Sequence, residues 1–299
     1  MANWGSKLVN AIREKGNSAG EGEMSFFGHL EALRWHLLRS AAAILIITIF
    51  AFIYYDNIFD GIIMAPTRVN FWTYRAMCKM GDLFHSLIPA LDAKGFCVQT
   101  INFPKLINTD LAGQFNLQLN SSIMIGLIIG VPYLVYEIWK FIKPALHDKE
   151  RKAASGFVFY SSFLFMLGVL FGYYIVTPLS IRFFANYKVS DAIVNMFSTD
   201  SFISSETMLI LLAGIVFQLP IIVYILSSLG ILTPAFMRKT RRHAVVLILV
   251  LAAIITPSPD ALTMLVVAMP LYLLYEFSIR VSAVVQRRRE KRLADEAAS

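Results

Sequence analysis

The sequence predicts an all-α, polytopic membrane protein with six transmembrane helices and both termini in the cytoplasm. Three observations predict it. Hydrophobic residues make up 57% of the 299 and charged residues 16%, against roughly 45–50% and 25% in soluble domains. The mean hydropathy is +0.61, and the apolar residues are gathered in long unbroken runs, as helices in a bilayer require, rather than alternating as barrel strands would. Lys and Arg fall between those runs with a strong bias to alternate loops. A soluble fold cannot hide so much apolar surface, so disorder and an ordinary soluble enzyme are excluded.

The first run lies near Leu37 to Tyr55 (LLRSAAAILIITIFAFIYY). The second lies near Leu119 to Phe141, the third near Phe157 to Pro178 and the fourth near Met208 to Leu229. The fifth, near His243 to Thr256, is short, and the sixth, near Ala261 to Ile279, is interrupted by Pro270. Fourteen helical residues rise about 21 Å, less than a hydrocarbon core of roughly 30 Å. Span five therefore implies either snorkelling of Arg241 and Arg242 or local thinning of the bilayer.

An even number of spans puts both ends on one side, and basic residues choose it. Of the 27 Lys and Arg, only Arg68, Arg75, Lys79, Lys94, Lys105, Arg182 and Lys188 fall on the far side. The rest cluster in the N-terminal segment, the loops after spans two and four, and the C-terminal tail. By the positive-inside rule that side is cytoplasmic, facing anionic lipid. This also accounts for the net charge of +7 without nucleic acid, since no basic stripe is long enough to track a phosphate backbone. Residues 1–24 read as a flexible cytoplasmic tail without the apolar core of a cleavable signal peptide. Residues 25–286 read as the membrane domain, and 287–299 as a mobile tail, basic and then acidic.

Both cysteines, Cys78 and Cys97, fall in the long loop after span one. If that loop faces an oxidising compartment a disulfide is expected; otherwise they are two thiols sharing a loop. With His85 alone nearby they offer too few ligands for a metal, and no cofactor motif appears. GNSAG at Gly16 to Gly20 formally fits a nucleophile elbow, but it lies in an unpatterned tail without the strand and helix that motif needs. The chain therefore does not read as an enzyme.

Polar residues at membrane depth are functional candidates. Gln218 sits mid-span in GIVFQLPII beside Pro220. It is either an interhelical hydrogen bond that holds the bundle together or a polar contact for a partner. Glu137 and Glu276 fall near cytoplasmic span ends, where water is expected to reach them. On the basic face, Glu31 and Arg34 share one side of the amphipathic stretch FFGHLEALRWHLLRS. Glu150 ends the loop YEIWKFIKPALHDKERK. These carboxylates either balance local charge or pair with an incoming cation, for which an arginine fork is well suited.

Five motifs occur in a shared order: HLEALRWHLL at His29, Ala65-Pro66, YEIWKFIKPALHDKERK, FQLP at Phe217, and TPSPD at Thr256 with Pro270 and Glu276 beyond. In this the chain resembles the TatC family, the polytopic core of the twin-arginine protein translocase, over roughly Ser25 to Arg280. The resemblance implies recognition of twin-arginine signal peptides and export of folded proteins, powered by the proton-motive force, across the bacterial cytoplasmic (inner) membrane. It implies single-span TatA- and TatB-type partners and an oligomer with other copies. By position it assigns signal-peptide binding to His29, Leu30, Glu31, Arg34, Phe141, Pro144 and Glu150, the outer cap to Pro66, and the intramembrane polar site to Gln218. The glutamate usual in the first motif falls on Ala32 here, with Glu31 one step earlier and about 100° around the helix. A secondary transporter or channel for a small solute is the alternative, although such proteins usually place charges or broken helices at the midplane.

Overall fold

A computed structural model describes residues 26–87, 106–142, 155–190, 196–256 and 261–298. Helix α1 (Phe26–Ile53) runs unbroken from the amphipathic lead-in through the first apolar run. Then come α2 (Tyr55–Ile58), a π-helical turn (Phe59–Ile63), a 3-10 turn (Ala65–Thr67) and α3 (Trp72–Leu87). Helix α4 (Gly113–Ile142) carries the second run. Helix α5 (Ser155–Phe171) passes through a π-turn (Gly172–Val176) into α6 (Thr177–Asn186). The fourth run is divided into α7 (Thr199–Val216) and α8 (Leu219–Ser228). The short α9 (Pro234–Lys239) leads to α10 (Arg241–Ile255) and α11 (Ala261–Ala298). Two short strands, β1 (Leu106–Ile107) and β2 (Phe197–Ser198), pair in parallel, Leu106 opposite Phe197 and Ile107 opposite Ser198.

Among the described residues, five stretches are helical, long and apolar enough to cross a membrane: Glu31–Ile53, Gly113–Phe141, Gly156–Asn186, Thr199–Ser228 and Thr263–Lys291. They make this a multi-pass helical membrane protein. The remaining expected span is α10, whose 15 residues rise about 22 Å. Its length alone keeps it out of that group. On α1, Leu45, Ile46, Ile49, Phe50 and Ile53 are all exposed, as a lipid-facing surface is.

Helix α1 lies along α4, α5 against α7, and α8 against α11, with α10 also packed on α11. The larger buried cluster joins α10, through Ile248 and Ala252, and α11, through Val267 and Leu271, to Phe217 at the α7–α8 break. A smaller one, Tyr55, Ile63, Leu117 and Ile203, sits at the end where α1 gives way to α2. Buried hydroxyls tie the helices together. Ser227 Oγ donates to Ser282 Oγ at 2.8 Å, and Tyr275 Oη donates to the Met237 carbonyl at 2.8 Å.

Helix α8 ends in a Schellman turn. Gly230 takes φ 78°, the Ile231 N–H reaches the Leu226 carbonyl at 3.0 Å and the Gly230 N–H reaches Ser227 at 3.0 Å. Thr233 then caps α9, its Oγ1 accepting from the Phe236 N–H at 3.3 Å.

The C-terminal residues differ from the expected mobile tail, because α11 continues through 287–298. The sequence there is built of strong helix formers. Gln286 also donates to Glu290 one turn on at 2.7 Å, and Arg289 lies against Gly230.

Candidate functional site

Helix α1 begins with two exposed charged residues, Glu31 and Arg34. Neither forms an ion pair among the described residues, and Ala32 beside them is half-buried. Glu31 therefore faces outward, not toward the point Ala32 occupies. His29 and Leu30 lie in the first turn of the same helix.

Two turns further on, His36 is joined to α4. Its Nδ1 donates to Glu137 Oε2 at 2.5 Å, and Tyr133 Oη donates to Glu137 Oε1 at 2.8 Å. Phe141 lies edge-on to the His36 ring, with centroids 6.2 Å apart. Glu137 is only 2% exposed, so the water-accessible position expected for it is wrong. It sits in the seam between α1 and α4, and two donors make that burial tolerable. Glu276 is also paired, accepting from Arg241 at 2.9 Å and from Tyr272 at 3.2 Å.

The helix ends on either side of the loop after α4 are joined. Trp139 from α4 stacks on Phe157 from α5, with centroids 4.4 Å apart and planes 30° apart. Pro144 and Glu150, the loop residues expected at the site, lie outside the described residues.

Gln218 sits at the break between α7 and α8. Pro220 has no N–H to continue the ladder, and the Gln218 N–H turns back to Ile215. The side chain makes a reciprocal pair with α5: Ser161 Oγ donates to Gln218 Oε1 at 2.7 Å, and Gln218 Nε2 donates to the Ser161 carbonyl at 3.1 Å. Of the two expected roles, the interhelical bond is the one realised in this structure.

At the opposite end, Pro66 is fully buried. The Tyr74 hydroxyl lies 3.0 Å from the Pro66 carbonyl and 3.2 Å from that of Pro178. Burial, reinforced by the charge of Glu206, pushes the Tyr74 phenol above its ordinary range. Thr73 also bonds the Tyr174 carbonyl, so the segment after α1 is clamped to the third span. Cys78, on α3 in this segment, is disulfide-bonded; Cys97 lies outside the described residues.

Sequence reasoning missed two features. Glu137 falls inside the second apolar run and His36 just before the first, but their pairing across 101 positions has no local signature. Glu206, buried at 6% exposure, falls two positions before the run that begins near Met208 and so outside the span drawn from hydropathy.

The family model described as "Sec-independent protein translocase protein (TatC)" matches residues 28–270. This chain belongs to the TatC family. It is 39% identical over 267 residues to the Sec-independent protein translocase protein TatC of Blattabacterium sp. subsp. Periplaneta americana, covering 89% of this chain and 98% of that one. To the TatC protein of Deinococcus radiodurans it is 31% identical, covering 86% and 85%. Its fold matches the crystal structure of a twin-arginine translocase receptor, TatC, with a TM-score of 0.60 and 30% identity, covering 85% of this chain and 99% of that one. This TatC-family chain is thus a multi-pass protein-transport subunit and not an enzyme. A small-solute transporter is set aside on the same ground.

Proposed function

We propose that this chain receives twin-arginine signal peptides on the face formed by the start of α1 and the loop after α4, and that Glu150 in that loop pairs with a signal arginine. The observation that carries the reading is the His36–Glu137 bond. It fixes the exposed Glu31 and Arg34 face of α1 onto the end of α4, from which the loop departs. Trp139 and Phe157 hold together the helices that flank that loop. His29, Leu30, Phe141 and Pro144 complete the binding face. A carboxylate in a partly desolvated groove pairs more strongly with a guanidinium than one on a free surface.

The wider reading follows from the family. The chain works in the bacterial inner membrane with both termini cytoplasmic and α10 as the sixth span. It works with single-span TatA- and TatB-type subunits and other copies of itself, and the proton-motive force drives export. Pro66 serves the outer cap, Cys78 pairs with Cys97, and Gln218 serves as the intramembrane polar site. The test is Glu150→Ala. Export of a twin-arginine substrate should be lost while the protein remains inserted, and wild-type export would remove Glu150 from the site. Binding of the signal peptide should also weaken with salt.

A further inference from the structure

The end of the bundle that carries β1 and β2 holds a cavity of about 280 Å³ between α6, α7 and β2. Its chemistry is lopsided. Glu206 lines it from α7 and is 6% exposed, yet its Oε1 has no hydrogen-bond partner among the described residues. Thr177 Oγ1, from α6, is also buried without a partner there.

Two of the neighbouring hydroxyls are already committed. Ser180 Oγ already donates to the Val176 carbonyl at 2.9 Å, and Ser205 Oγ donates to the Ser201 carbonyl at 2.7 Å. Each hydroxyl has one proton, so these two present only lone pairs to the cavity. A buried carboxylate oxygen left without a partner calls for a donor from outside, preferably a cationic one.

Phe184, Phe197 and Phe202 also line the cavity, and aromatic faces attract cations. The space far exceeds the roughly 10–15 Å³ that a single water occupies by the same kind of measure. It approaches the lower end, about 300 Å³, of small-molecule sites. A metal ion is a poor fit, since no group of three His, Cys, Asp or Glu among the described residues could hold one.

We propose that this cavity binds an organic cation bearing N–H donors, a primary ammonium or a guanidinium, with Glu206 as its counter-ion. The cation has two possible sources, a free amine or a basic side chain of another protein, and the cavity chemistry is the same for both.

The test uses the full chain purified in detergent, titrated calorimetrically with n-butylammonium, n-butanol and tetramethylammonium. The wild type should bind n-butylammonium saturably, n-butanol not at all, and tetramethylammonium weakly for want of N–H donors. Glu206→Gln keeps the shape and removes the charge, and should weaken binding roughly 10- to 100-fold. Ser205→Phe fills the cavity while keeping Glu206, and should abolish binding. No saturable binding by the wild type, or unchanged affinity in either variant, overturns the proposal. The source is read from a photo-crosslinking residue at Met196, which lines the cavity, in membranes holding the complete translocase. A Glu206-dependent adduct with a second protein assigns the cation to that protein's side chain. No adduct, with n-butylammonium binding intact, assigns it to a free amine.

Discussion

His36 and Glu137 stand 101 positions apart in sequence and 2.5 Å apart in space, and their bond joins the start of the first span to the end of the second. Glu137 also accepts from Tyr133, so its two oxygens are satisfied from two helices. Removing either side of the pair leaves the other polar group without its partner, with Glu137 buried and His36 half-buried. His36→Ala and Glu137→Ala should each lower thermal stability by about 1–3 kcal/mol. The double variant should cost less than the sum, because both remove the same bond. Thermal unfolding of the three variants in one detergent checks this; additive losses would show that the pair is not coupled.

The α1–α4 seam is also close because α4 places two of its glycines, Gly126 and Gly130, against α1. A Cβ at Gly126 would fall onto the Thr48 side chain, 3.0 Å from the Thr48 nitrogen and 3.1 Å from the Ile44 carbonyl oxygen. Backbone atoms cannot swing aside. A Cβ at Gly130 would meet Ile44 Cγ1 at 2.6 Å but Ile44 Cα only at 3.6 Å, and an isoleucine side chain can rotate. Small residues four apart are a common means of close helix approach in lipid. Gly126→Ala should therefore destabilise by about 1–3 kcal/mol and Gly130→Ala by less. Melting temperatures of the two variants decide it, and the reverse order would contradict the packing described.

Gln218 and Ser161 exchange two hydrogen bonds across α5 and the α7–α8 break. Gln218→Ala leaves the Ser161 hydroxyl and carbonyl without their partner, where Ser161 is 3% exposed. Single interhelical bonds in membranes are worth about 0.6–1.7 kcal/mol, so a loss of about 1–2 kcal/mol is expected. Ser161→Ala should cost less, since its carbonyl still accepts from Gln218. Unfolding of both variants measures the difference.

The membrane class, most helix positions and the family were legible in the sequence because each rests on a local property: run length, charge placement or motif spacing. The unbroken α1 followed from an amphipathic stretch feeding an apolar one. What stayed hidden was tertiary. A burial pattern of apolar and polar residues does not say which helix a glutamate faces, so Glu137 read as interfacial. A hydropathy window draws its boundary at the first apolar residue, so Glu206 fell outside the fourth run by two positions. A mobile end was expected for 287–299, yet the charged residue types there favour continuing a helix already nucleated by α11.

Tyr74 joins the segment after α1 to the third span through the carbonyls of Pro66 and Pro178. Tyr74→Phe keeps the ring and removes the hydroxyl that reaches both carbonyls. With Tyr74 2% exposed, water cannot replace the lost donor, and the variant should lose about 1–2 kcal/mol. The pH dependence gives a second check. Burial first, and the charge of Glu206 next, raise the phenol above its ordinary value of 10.0. The folded state therefore holds this proton more tightly than the unfolded chain does. Its contribution is complete below about pH 10 and is lost as the pH rises from there toward the folded-state value. Wild-type stability should fall above about pH 10 more steeply than that of Tyr74→Phe, with the two curves drawing together as the phenol ionises. Unfolding curves collected on both proteins across that range measure it; parallel curves would mean that Tyr74 keeps an ordinary phenol.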